Sequence, residues 1–248
     1  MKKLMNTTNI PIFTLAAGII GLALRAWLFF GGTDQKGLLV SSHPANALTF
    51  ILTALVLVVL FIYIRPLNAV DRYRQLFPRT VLPAVGCIAA AVGIAWVTLR
   101  DLHLKTDPIT VISLVLGVLA FISLLLLAYC RFRRIRPVFF LHMIVTVYLM
   151  FHLISQYRLW SAEPQLQVYF FPLLASVFLM LAGYHSAVLD ARKSSRRWYV
   201  FFNQSALFCC CLSMWGDSWL FYLTMGLWML SSLCSLEVHQ TPPPEEEV

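Results

Sequence analysis

Tyr148, His152, Ser155 and Gln156 follow one another at offsets of four, seven and eight residues, which on a helix returns all four to one stripe. A phenol, an imidazole, a hydroxyl and an amide aligned in this way can hold a small polar ligand by hydrogen bonds. They can equally bond to a neighbouring helix in an apolar setting. Further polar groups lie in or beside apolar stretches: Arg25, the one ionised residue well inside such a stretch, His43 and Asn46 on either side of Pro44-Ala45, and Asp217 in the short turn Gly216-Asp217-Ser218. A guanidinium suits bidentate contact with a carboxylate or phosphate. For Arg25 that anion is a ligand or an acid such as Asp34 or Asp217, unless the side chain reaches along its stem to a polar boundary. Arg25, His43, Asn46, Tyr148, His152, Gln156 and Asp217 therefore make up one candidate ligand pocket.

The remaining polar groups read differently. His142 is about 80° off the Tyr148 stripe and falls outside this pocket. His185 and Asp190, five residues apart, read as boundary residues at the end of an apolar run, and Asn203, Gln204 and Ser205 as their counterparts at the start of the next. No Asp or Glu lies deep in any apolar run, so proton or sodium coupling through a carboxylate has no obvious carrier. Cys209, Cys210 and Cys211 sit about 100° apart on a helix, cannot converge on one ion, and read as packing residues. Neither a metal nor a cofactor is expected. The chain contains no HExxH, GxSxG or GxxxxGK[ST] pattern, and its last apolar run has no lysine for a Schiff base. These observations point away from an enzyme, although an intramembrane enzyme using His152 or His142 is retained as an alternative.

The elements that must position these groups follow from composition. Of 248 residues, 60% are hydrophobic and 12% charged, about half the charged share of a soluble domain. Apolar runs near 20 residues recur throughout, each long enough for about 30 Å of hydrocarbon. Backbone groups in lipid must be satisfied within the segment, so these runs are expected to be helices, and the alternating ten-residue segments of a β-barrel are not seen. The expected fold class is all-α: a polytopic transmembrane bundle of eight spans at about 10–30, 46–64, 80–99, 108–130, 137–157, 166–189, 198–215 and 219–236. Residues 1–238 form a single transmembrane domain. Residues 239–248, ending in Thr-Pro-Pro-Pro-Glu-Glu-Glu-Val, form an acidic tail expected to be disordered.

Positive charge sets the expected threading. The stretch Arg131-Phe132-Arg133-Arg134-Ile135-Arg136 divides four runs from four. Fourteen of the 19 Lys and Arg fall at the N-terminus or in three alternate loops, against four in the intervening loops. Cytoplasmic loops carry this excess, which puts both termini inside. The same placement explains the net charge of +8 without nucleic acid, for which no recognition module is present. The first run is too long for a signal peptide and lacks a cleavage site, so it reads as an uncleaved span. No cysteine falls in an external loop, and no external disulfide is expected. Trp27, Trp96, Trp160, Trp198, Trp215 and Trp219 fall near the expected interfaces. Gly86/Ala90, Ala89/Gly93 and Ser113/Gly117 are small pairs one turn apart, which permit close helix approach. The third and fourth spans, joined only by 100–107, should form a tight hairpin, and Pro172 should bend the sixth.

Arg25-Ala26-Trp27, then Gly32-Thr33-Asp34-Gln35-Lys36-Gly37-Leu38-Leu39 and His43-Pro44, resemble a pattern in uncharacterised multi-pass membrane proteins of anaerobic Gram-positive bacteria. The resemblance covers about 35 residues. It implies a bacterial plasma membrane and carries no activity or site residue with it. The functional expectation is a small permease-like or ligand-binding membrane protein with an outward-facing polar pocket, whose partners are the lipid bilayer and a small-molecule ligand. The alternative is a sensory or assembly partner of another membrane protein, acting through the basic loops and the acidic tail.

Overall fold

Among the described residues, the eight apolar runs give eight helices. The computed structural model describes residues 9–32, 43–65, 81–102, 108–133, 135–161, 166–191, 196–216 and 218–236. They form α1 (Asn9–Gly31), α2 (Pro44–Ile64), α3 (Val81–Leu102), α4 (Pro108–Phe132), α5 (Phe139–Trp160), α6 (Leu166–Asp190), α7 (Arg196–Leu212) and α8 (Trp219–Cys234), with no strand among the described residues. Six of them, α1 to α6, are long and apolar enough to cross a membrane. Their outward faces expose large aliphatic side chains in rows, such as Ile51, Leu55, Val58 and Ile62 on α2 and Val111, Val115, Val118 and Ile122 on α4. Water would not tolerate so continuous an apolar surface, and a bilayer covers it. The chain is a multi-pass membrane protein.

The last two helices are shorter, with 17 residues in α7 and 16 in α8, or about 25 Å each. Their length matches their position. α3 packs on α4, α4 on α5, α5 on α6, α6 on α7 and α7 on α8, and α8 returns to α3, closing a ring of six helices. α1 and α2 lie outside this ring and attach to it chiefly through α7. α7 is thus enclosed on nearly all sides, and every residue from Asn203 to Ser213 is buried. Cys211 abuts Gly18 of α1 and Cys210 abuts Gly226 of α8. Cys210 and Cys211 therefore face different neighbours, as their angular spacing requires.

The ring is closed by small residues. A Cβ at Gly86 would collide with Ser231 of α8, and one at Gly93 with Thr224. Two turns separate each pair, so α3 and α8 lie backbone to backbone and antiparallel. On the other side of α3, Gly117 of α4 makes room for Thr98, which fits the hairpin expected from the short connection. Trp27, Trp96, Trp198 and Trp219 are each about half exposed, the setting of interfacial aromatics. α7 stops at Leu212, three residues before the expected end. Ser213 caps it by donating its backbone N–H toward Cys209 and Cys210, and Gly216, at φ 132°, turns the chain toward α8.

Candidate functional site

The interior of the ring carries polar groups at both ends. α5 and α8 stand opposite each other, yet their side chains meet across the middle. His152 lies 4.9 Å from Phe221, and His142 stacks on Trp228 at 6.4 Å and 15°. Phe221 and Trp228 are seven residues apart on α8, two helical turns on one face. The ring is therefore filled, and the two histidines mark its opposite ends.

At the first end, Tyr148 and His152 of α5 stack at 5.8 Å. The Tyr148 hydroxyl faces Thr98 of α3 without a well-aligned hydrogen bond, and both oxygens are buried. His152 Nδ1 is likewise buried without an aligned partner. Arg100 and Asp101 end α3 beside them, with Nε to Oδ1 at 3.5 Å, and Arg100 donates to Ser218 Oγ at 3.1 Å. Gln156, one turn beyond His152, is buried too. Buried polar atoms are normally bonded, and leaving one unbonded costs about 1–3 kcal/mol. Thr98, Tyr148 and His152 carry three such atoms, and the hydroxyls of Thr98 and Tyr148 face each other.

At the opposite end lies a cluster that sequence spacing did not reveal. His142 Nδ1 is 2.7 Å from Asp190 Oδ2, with both side chains almost wholly buried. The contact is close but not aligned as a hydrogen bond. Arg131 of α4 reaches Asp190 Oδ1 at 4.0 Å, and Arg136, in the α4–α5 linker, donates to the Asp190 backbone carbonyl. Cys87 of α3 and Tyr199 of α7 both lie within electrostatic reach of Arg131 and Asp190. Trp228 of α8 completes the set, so every helix of the ring supplies one residue. Asp190, read from sequence as a boundary residue, is instead the carboxylate at the centre of this cluster. His142, 80° off the Tyr148 stripe, nevertheless faces the same helix α8 as His152.

The other expected pocket residues are engaged elsewhere. Arg25 is 2% exposed and donates from Nη2 to the carbonyl of Val168 at 3.2 Å. Val168 is four residues before Pro172, inside α6. Proline has no N–H, so this carbonyl lacks its helical donor, and Arg25 supplies one. The guanidinium also lies over Phe29 and Phe171, at 5.3 and 4.9 Å. His43 caps α2, its Nδ1 accepting from Ala45 N at 3.3 Å, and meets Trp27 edge-on at 5.4 Å. Asn46 is half-buried in the first turn of α2. Asp217 and Asp34 lie outside the described residues. The structure thus joins Tyr148 and His152 in one cluster, places Gln156 one turn beyond, and assigns Arg25 and His43 to structural contacts of α1, α2 and α6. Arg100, Asp101 and Thr98 were missed. Their signal was an adjacent Arg-Asp pair ending a span.

No family model, curated protein or solved structure matches this chain. Among the described residues, no group of three His, Cys, Asp or Glu could hold a metal ion.

Proposed function

We propose that the chain is a small permease-like or ligand-binding protein of the bacterial cytoplasmic membrane, threaded eight times with both termini inside. In this reading the Arg100 end of the ring is its outward-facing pocket. The threading rests on the excess of Lys and Arg in alternate loops, and the choice of membrane on the short N-terminal resemblance. The observation that carries the ligand reading is the trio of buried, unbonded polar atoms on Thr98, Tyr148 and His152 beside Arg100. These donors and acceptors suit a small organic acid carrying a hydroxyl. The test is a thermal-shift screen of purified protein against a panel of small hydroxy acids. A stabilising ligand is expected, with the shift lost in Tyr148→Phe and His152→Ala. A shift kept in both variants would remove the pocket from this end.

A second reading, an intramembrane enzyme using histidine, is favoured by the 2.7 Å contact of His142 with Asp190. A carboxylate this close to Nδ1 favours the tautomer protonated there, which leaves Nε2 as a base. The sensory or assembly reading depends on basic loops and an acidic tail that lie mostly outside the described residues.

A further inference from the structure

We propose that His142 and Asp190 form a proton-binding site at the cytoplasmic end of the ring. The inference deepens the permease reading, on which it rests, by naming the ion that would be coupled to the ligand. Sequence alone offered no carboxylate for this purpose, but the fold creates one by bringing the last residue of α6 against the fourth residue of α5.

The argument begins with charge. Asp190 has its carboxylate fully buried, and His142 is 3% exposed. In such surroundings an ionised group is costly unless paired. The charged and titratable groups around the pair come from each element packed there: Asp190 of α6 meets the imidazole and Trp228 of α8 stacks on it, while Arg131 of α4, Arg136 of the linker, Cys87 of α3 and Tyr199 of α7 gather around Asp190. With a neutral imidazole, the Nδ1 hydrogen faces the carboxylate while Arg131 balances its charge. With an imidazolium, Arg131 and His142 compete for the one carboxylate, while Arg136 holds the Asp190 backbone carbonyl. The two states differ by one proton and no bond is broken, but the contacts tying α4, the linker and α6 together must be shared differently. Both groups sit within about 5 Å of a helix end at 1.5 Å per residue, so a proton has only a short path from the aqueous side.

α8 links this end to the other. Trp228 on His142 and Phe221 on His152 lie on one face, two turns apart. A change in the seating of Trp228 is transmitted along a rigid helix to the ligand pocket.

The stacked indole also provides the measurement, since an imidazolium quenches indole emission more strongly than a neutral imidazole. Full-length protein in lipid nanodiscs, without ligand, is titrated from about pH 5 to about pH 9, the range in which histidine changes charge. We expect a reversible one-proton step in tryptophan emission. The step should vanish in His142→Gln and move to lower pH in Asp190→Asn, which removes the neighbouring negative charge. Ring resonances of 15N-histidine-labelled wild-type protein, titrated over the same range, test the site even if a variant fails to fold. A step that persists in folded His142→Gln, or a wild-type protein with no titrating buried histidine, would overturn the site. The measurement uses no ligand, so its outcome is independent of whether the outward pocket binds one.

Discussion

The two ends of the ring treat buried polarity in opposite ways. At the Asp190 end charged and titratable groups lie close together: His142, Arg131 and Arg136 converge on one residue. At the Arg100 end the deep groups are neutral, stacked and left without aligned partners. A charge cluster is held by its internal balance, and removing one member exposes the others. A set of unbonded neutral groups already bears its cost in the folded state and loses little when trimmed. The first end should therefore be sensitive in stability, and the second in binding.

The sharpest way to break this contrast is at Asp190. Asp190→Ala leaves Arg131 and His142 without their carboxylate and should destabilise the protein by about 3–5 kcal/mol, read by denaturant unfolding in detergent. A loss under about 1 kcal/mol would mean the cluster is not internally balanced. Gly93→Val strikes the seam between the ends, where α3 meets Thr224. Overpacking there should cost about 1–3 kcal/mol and lower both ends together, visible as a fall in melting temperature with ligand affinity weakened. Arg25→Ala, outside the ring, should cost about 1–3 kcal/mol through the unbonded Val168 carbonyl, with ligand affinity unchanged. Should affinity fall while stability holds, Arg25 would belong to the pocket after all. The smallest effect belongs to Tyr148→Phe. It should change unfolding by less than about 1 kcal/mol, because the hydroxyl has no aligned partner to lose, while abolishing the ligand shift.

The helices were legible because each is an apolar run bounded by charge or proline, and in a membrane the backbone has little other choice. The Tyr148–His152 stripe was legible because it is local: four residues are one turn. Asp190 was not, because its partner lies 48 positions back in the sequence and only ring closure brings them together. His142 lies apart from that stripe, as its spacing implied, and yet meets the same helix α8 as His152. Angular spacing on α5 says which residues share a face, but α8 crosses the interior and is wide enough, through Phe221 and Trp228, to meet residues 80° apart. Arg25 was recognised as unusual, yet its partner is a carbonyl freed by Pro172, and a search for acids overlooks backbone groups. Pro172 was itself noted as a source of bending. Joining the two observations required knowing that α1 runs beside the start of α6.

The dependence of α1 and α2 on α7 bears on how the protein is made. Their main anchor is translated more than 130 residues after them, which at about 5–20 residues per second is a delay of several seconds or longer. During that interval the first hairpin must wait in the membrane with Gly18 and Gly21 uncovered, available to other hydrophobic segments or to an insertion chaperone. The same applies to α3, whose glycine face has no partner until α8 emerges. Assembly of this molecule is thus a late event, and truncation before α7 would leave both early surfaces permanently open, whereas loss of α8 alone would open only that of α3.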